Sequence, residues 1–330
     1  MDKFICFDLE GPLSPQDNAY ELMRLFPGGE RVFEAISRYD DLLTLEEREG
    51  YEPGDTLALI VPFLLYHGIS EDDIRKLAQA SKLVEGSREL IFSLQSRGWK
   101  VFCISTSYEQ YAFSITQRVG ISWKKVASTP FPLDSYRQTL GKEGRFANRP
   151  YKVEQVERDI PSLSGDEELK RCLDNFFWTE LPSTKLDKVM SEVKPVGGRR
   201  KVEALRRFAE EYGQTLSNFV VVGDSITDFR MLDAVNKAGG LAIAFNANEY
   251  ALPYSTLGLA STHLSDLSTV LDAWEKGGRK RVEEVVKRKE KAGGKGNREH
   301  FHWLAGDWQK ALQIHHQTRR LVREEAAKLG

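Results

Sequence analysis

Apolar residues follow two rhythms along this chain. Short unbroken runs alternate with longer stretches in which apolar positions recur every third or fourth residue. The runs are Phe4-Ile5-Cys6-Phe7, Val101-Phe102-Cys103-Ile104 and Phe219-Val220-Val221-Val222. A short run without a polar residue predicts a strand buried on both faces, and such strands belong to parallel sheets. Gly240 to Phe245 reads as a fourth strand, Leu259 to Thr262 as a fifth and Val126 to Thr129 as a short one. Helical spacing predicts helices over Ser87–Ser96, Tyr108–Val119, Arg200–Tyr212 and Phe229–Asn236. Strand and helix alternate, so the expected class is α/β: a Rossmann-like parallel sheet flanked by helices, with right-handed crossovers.

Three stretches break this alternation. Residues 14–85 read as an inserted all-helical cap. Its segments lie near Tyr20 to Phe26, Arg31 to Leu45 and Asp55 to Tyr66, followed by a helix capped by Ser70. The segment Asp55 to Tyr66 is apolar nearly all round, which predicts one helix at the centre of the bundle. The catalytic core is expected over 1–13 and 86–274, and 134–196 reads as an insertion within it that packs on the sheet domain. Residues 275–330 are rich in Lys and Arg and read as a helical C-terminal extension, a pair of helices docked on its own chain or on a partner. The pairs Gly28-Gly29 and Gly197-Gly198 read as helix punctuation.

With 330 residues the chain can bury a full core, and a formal net charge of -2 argues against a whole-chain nucleic-acid binder. The three cysteines, Cys6, Cys103 and Cys172, form neither a disulfide framework nor a zinc pattern and suit a reducing compartment. The first strand begins too early for a signal peptide and no apolar run is long enough to span a bilayer, so the expected location is cytoplasmic. His300/His302 and His315/His316 lack the acid or Cys companions of a metal site and read as structural or solvated.

Chemistry concentrates at three strand ends. Asp8 and Glu10 follow the first run, Ser105-Thr106-Ser107 the second and Gly223-Asp224-Ser225-Ile226-Thr227-Asp228 the third. In a parallel sheet all three end on one edge and can converge. A nucleophilic carboxylate beside an acid/base carboxylate is the pairing an aspartyl-phosphate mechanism needs. Asp8, Asp224 and Asp228 together make an all-oxygen set suited to Mg²⁺. The hydroxyls of Ser105 and Thr106 could hold an anion, and Lys201, at a helix start, could neutralise phosphate; Lys194, Arg199 and Arg200 are rival cations.

In these motifs the chain resembles the haloacid dehalogenase-like hydrolases, in their phosphoserine phosphatase-like branch. The resemblance runs over roughly residues 3–133 and 197–272. It implies Asp8 as nucleophile and Glu10 as acid and base. It implies Ser105, Thr106 and Lys201 on the phosphate, and a metal held by Asp8, the carbonyl of Glu10, Asp224 and Asp228. Glu10 stands where the family usually has Asp, and Pro12 replaces its usual hydroxyl residue. Asp17 matches the acid with which the cap grips substrate. The cap arginine has no counterpart in the apolar stretch Thr56 to Val61, which points away from phosphoserine and leaves Arg48 or Arg137 as substitutes. The implied activity is Mg²⁺-dependent hydrolysis of a small phosphomonoester. The alternatives are phosphotransfer to a small alcohol, or a catalytically weak regulatory subunit of a larger complex. The expected partner is a small phosphorylated metabolite, with neither membrane nor nucleic acid; a second copy or another protein would bind through the C-terminal extension.

Overall fold

Apolar runs without a polar face must be covered on both sides, and the fold does this with helices. The computed structural model describes residues 3–140, 151–182, 184–292, 299–304 and 307–323. The runs form β1 (Lys3–Phe7), β2 (Trp99–Tyr108) and β4 (Phe219–Gly223). The others are β3 (Val126–Thr129), β5 (Leu241–Phe245), β6 (Leu257–Ser261) and β7 (Glu299–Trp303). Among the described residues they make one seven-stranded sheet in the order β3-β2-β1-β4-β5-β6-β7. All neighbours are parallel except β6 and β7. The strand order reverses at β1, and open α/β sheets leave a ligand crevice at the carboxyl ends of their strands at such a point. Phe7 lies level with Cys103 on one side and Val222 on the other, so residue 8 emerges into that crevice.

Side chains of β1 alternate between two cores. Ile5 and Phe7 pack on one face with Ile91 and Leu94 of helix Ser87–Ser96. Phe4 and Cys6 pack on the other with Leu205 and Phe208 of helix Arg199–Glu211. This second contact matters for the site, because it fixes the helix that carries Lys201.

The cap is a bundle of helices Asn18–Met23, Gly29–Leu45, Thr56–Leu59, Val61–Tyr66 and Glu71–Ala80. Ser70 caps the last of these in a reciprocal box with Asp73. The single helix expected over 55–66 is two short ones that meet at Ile60, with Pro62 in the first turn of the second. The two chain crossings between cap and sheet lie side by side, where the Val84 amide donates to the Leu13 carbonyl at 2.9 Å. Across the interface Tyr108 donates to the Leu57 carbonyl at 2.5 Å. The pair Gly197-Gly198 does more than open a helix: a Cβ at Gly197 would fall 1.9 Å from the Pro53 carbonyl, and one at Gly198 2.3 Å from Glu52. These glycines let the cap loop at 52–54 lie directly on the core.

Two expectations about packing need correction. The insertion does not dock mainly on the sheet. Helices Tyr151–Asp159 and Asp166–Asp174 and the turn Asn175–Glu180 sit against the cap, through His67 to Glu157 at 2.7 Å, Tyr39 to Asp174 at 2.5 Å and the rings of Phe63 and Phe176. Its apolar residues thus enlarge the cap core. Residues 141–150 of that stretch lie outside the described residues. Nor is the extension a helical pair. Helix Ser268–Ala292 crosses the expected boundary at 274/275, with a break at Gly277 and Gly278. Then β7 pairs antiparallel with β6, and helix Gln309–Arg323 returns across the molecule. An antiparallel strand at this position covers an edge that would otherwise expose unpaired backbone groups.

Candidate active site

Asp8 follows β1 directly, and its amide donates to the Val222 carbonyl at 2.8 Å, which ties it to the neighbouring strand. Alternation along the strand turns residue 8 toward the face of Phe4 and Cys6, where helix Arg199–Glu211 lies. The first turn of that helix brings Lys201 on to it. The fully buried ammonium lies 2.7 Å from Asp8 Oδ1 and 2.7 Å from Asp228 Oδ1. Burial alone would loosen the Lys201 proton, but the carboxylates of Asp228 and Asp8 override this and hold the group charged.

Asp228 closes the loop after β4 on itself. Its Oδ2 accepts from the amides of Asp224 at 3.0 Å and Ser225 at 3.3 Å. Carboxylate oxygens of Asp8, Asp224 and Asp228 lie within 4.8 Å of one another, all on buried residues. Gly11, with φ near 96°, passes so close that a Cβ there would lie 2.3 Å from Asp224 Oδ2. That oxygen accepts from Arg319 and, at 2.8 Å, from Arg323, both on helix Gln309–Arg323. The other oxygen, Oδ1, is buried with no partner among the described residues. A donor set made only of oxygens, with one buried carboxylate oxygen unpartnered, fits Mg²⁺.

Glu10 does not join this cluster, because the chain turns after Leu9, whose carbonyl accepts from the amides of Leu13 and Ser14 at 2.9 Å each. Glu10 Oε1 instead accepts from Ser107 Oγ at 2.6 Å and the Asn18 amide at 2.8 Å. Burial, with the charge of Asp17 beside it, raises its pKa to about 7 against the pull of those bonds. Asp17 caps helix Asn18–Met23 by accepting from the Tyr20 amide at 2.9 Å. Ser105 is fully buried, and its Oγ accepts from the Ser107 amide at 3.1 Å. Thr106 donates to the Val196 carbonyl at 3.2 Å.

A cavity of about 90 Å³ joins most of these groups: Asp8, Glu10, Asp17, Thr106, Asp224 and Arg323 line it, with Phe33, Leu57 and Asp40 on the cap side. Of the rival cations, Arg199 pairs with Glu52 and Arg200 with Asp55, while Lys194 is exposed. Arg48 lies against Asp174 and the Trp178 ring, and Arg137 reaches the Ile69 carbonyl; neither lines the cavity. His315 is buried, and its Nδ1 accepts from the Ala247 amide. Two contributors were not singled out from the sequence, Arg319 and Arg323. The arginines stand four residues apart on one helix face, but nothing local pairs them with Asp224.

The cap side of the cavity holds a buried acid whose titration is separable from the cluster. Burial raises Asp40 to about 7, although Tyr51 at 2.5 Å and the Thr56 amide at 3.2 Å both donate to its Oδ1. The folded state thus holds this proton more tightly than the unfolded chain. Its contribution to stability is complete below about pH 4 and is lost as pH rises through about 7. Asp40→Asn keeps an acceptor for both donors. We expect it to match the parent near pH 4 and to exceed it at pH 8 by roughly 2–4 kcal/mol, read from denaturant melts across that range.

Against known proteins, no family model and no curated protein matches the chain. Among solved structures, a gene product of Archaeoglobus fulgidus is 30% identical, with all of this chain and 99% of that one aligned and a TM-score of 0.84. A phospho-aspartyl intermediate analogue of phosphoserine phosphatase is 20% identical over 81% of this chain and 97% of that one, with a TM-score of 0.52. An apo phosphoserine phosphatase is 18% identical over 81% and 98%, with a TM-score of 0.51. The chain has a haloacid dehalogenase-like fold. As a haloacid dehalogenase-like fold it has the mostly parallel sheet flanked by helices that its sequence pattern predicts. No described helix is long and apolar enough to cross a membrane.

Proposed function

We propose that this chain is a Mg²⁺-dependent phosphatase that hydrolyses a small phosphomonoester through an aspartyl-phosphate on Asp8. The observation that carries this reading is the placement of Asp8: at the strand-order reversal, bonded to a buried lysine, in one cavity with Glu10 and beside Asp224 and Asp228. Asp8 attacks phosphorus with a carboxylate oxygen, and the bond to the leaving alkoxide breaks. Glu10 gives its proton to that oxygen, then takes one from the water that cleaves the acyl-phosphate. Lys201 holds Asp8 in place and offsets charge on the phosphoryl oxygens. Ser105 adds a donor, since accepting the Ser107 amide leaves its own proton uncommitted. Asp8, Asp224 and the Glu10 carbonyl would hold the ion, with Asp228 fixing Lys201 and the loop. When bound, Mg²⁺ would offset the negative charge that gathers on the transferred group. Asp17, Leu57 and Phe33 face the substrate's non-phosphate part, and a cavity of about 90 Å³ favours a small one.

The test is a panel of phosphorylated metabolites assayed for phosphate release. Release should require Mg²⁺, stop with a chelator and return when the metal is restored. Full activity in strict absence of divalent ions would rule this reading out.

A further inference from the structure

Helix Gln309–Arg323 reaches the carboxylate cluster with two arginines. Arg319 and Arg323 are 3% and 6% exposed, and each places Nη1 on the same oxygen, Oδ2 of Asp224. Neither is a loose surface pair. Arg319 also reaches the carbonyls of Asp224 and Asn246, each at 3.4 Å, and Arg323 Nε donates to the Pro15 carbonyl at 3.2 Å. The helix itself is fixed. His315 accepts the Ala247 amide at 3.0 Å, and Gly258 makes room for the ring, since a Cβ there would lie 2.6 Å from His315 Nε2.

Asp224 is therefore treated asymmetrically. One oxygen receives two guanidinium groups, while the other is buried and has no donor among the described residues, and a carboxylate oxygen of Asp224 lies within 4.8 Å of oxygens of Asp8 and Asp228. A buried carboxylate oxygen without a partner is costly, so its persistence marks a place kept for a cation.

Resting on the metal site proposed above, we infer that Arg319 and Arg323 are positioning residues for it: they hold Oδ2 of Asp224 so that Oδ1 is presented to the ion. The extension is then part of the active site. Groups that hydrogen-bond a metal-ligating carboxylate typically shift metal affinity or activity about 10–100-fold when removed.

The experiment measures Mg²⁺ binding to the full chain by calorimetry, alongside phosphate release as a function of Mg²⁺ concentration. Arg319→Met and Arg323→Met should each raise the Kd for Mg²⁺ about 10–100-fold, with activity recovered in part at high Mg²⁺. Arg→Lys at either position keeps the charge but loses the fork of donors, so it should weaken binding by a smaller factor. Arg320→Met, at an exposed position on the same helix, should change neither readout. A role confined to folding would lower the melting temperature without moving the Kd. If the Met variants fail to fold, the Lys variants decide, and an unchanged or tighter Kd in them overturns the inference. Asp224→Ala separates the two readings. If it loses the binding that the parent shows while every arginine variant retains it, the positioning role falls and the metal site stands. If the parent itself binds no Mg²⁺, both fall.

Discussion

Asp8→Asn should abolish phosphate release, by about 10³-fold or more, while the protein stays folded. The substitution is nearly isosteric, and its carbonyl oxygen can still accept from Lys201, which now lies 2.7 Å from Asp8 Oδ1. What it removes is the charge and nucleophilicity of the attacking oxygen. Incubation with a phosphate-labelled substrate and rapid acid quench should leave label on the parent chain and none on the variant. Glu10→Gln gives the complementary result: slower departure of the leaving group, by roughly 10²–10⁴-fold, with metal binding retained. Turnover by Asp8→Asn at the parental rate would remove Asp8 from the mechanism altogether.

The second large effect falls on stability. Lys201→Met should destabilise the fold by about 3–5 kcal/mol, because it leaves two buried carboxylates facing each other without their shared cation. Asp8 and Asp228 each lie 2.7 Å from Lys201 Nζ, and neither has more than 5% of its side chain exposed. The pair can relieve the repulsion by binding a proton, so its pKa in the folded variant is raised. The sign follows: the variant is least impaired at low pH and loses stability as pH rises through that raised value. Urea melts at pH 5 and pH 8 should show the deficit widening with pH. A deficit below 1 kcal/mol at pH 8 would mean that the carboxylates find other partners.

The parts that were legible from sequence are those in which one local rule suffices. A strand covered on both faces tolerates no polar residue, so Phe4 to Phe7 and Phe219 to Val222 announce themselves, and Asp8 and Asp224 are marked by following them. What the sequence reading missed shares a physical cause. Residues 299–303 alternate, with Phe301 buried between His300 and His302, but the charged residues around them pointed to helix. Helix Gln309–Arg323 buries His315, Thr318, Arg319 and Arg323. Amphipathic reasoning assumes that the buried face is apolar, and here the buried face is cationic because its partner is a carboxylate 95 residues away in sequence. The insertion misled for a similar reason: Tyr39, Phe63 and His67 of the cap look self-sufficient until Asp174, Phe176 and Glu157 complete them.

The position of β1 in the interior of the sheet has a consequence for synthesis on the ribosome. Its residues pair with 99–103 on one side and 219–222 on the other. The first-made strand therefore waits through some two hundred residues for its second neighbour. Until β4 emerges, one edge of an entirely apolar strand is open, and such edges invite wrong pairings. The bond from Arg323 to Pro15 closes a loop of 308 residues, so the pocket is finished only when nearly the whole described chain is out. Long-range closure of this kind slows folding relative to local pairing. A nascent chain of this protein therefore acquires its sheet first and a complete set of charges around Asp224 last.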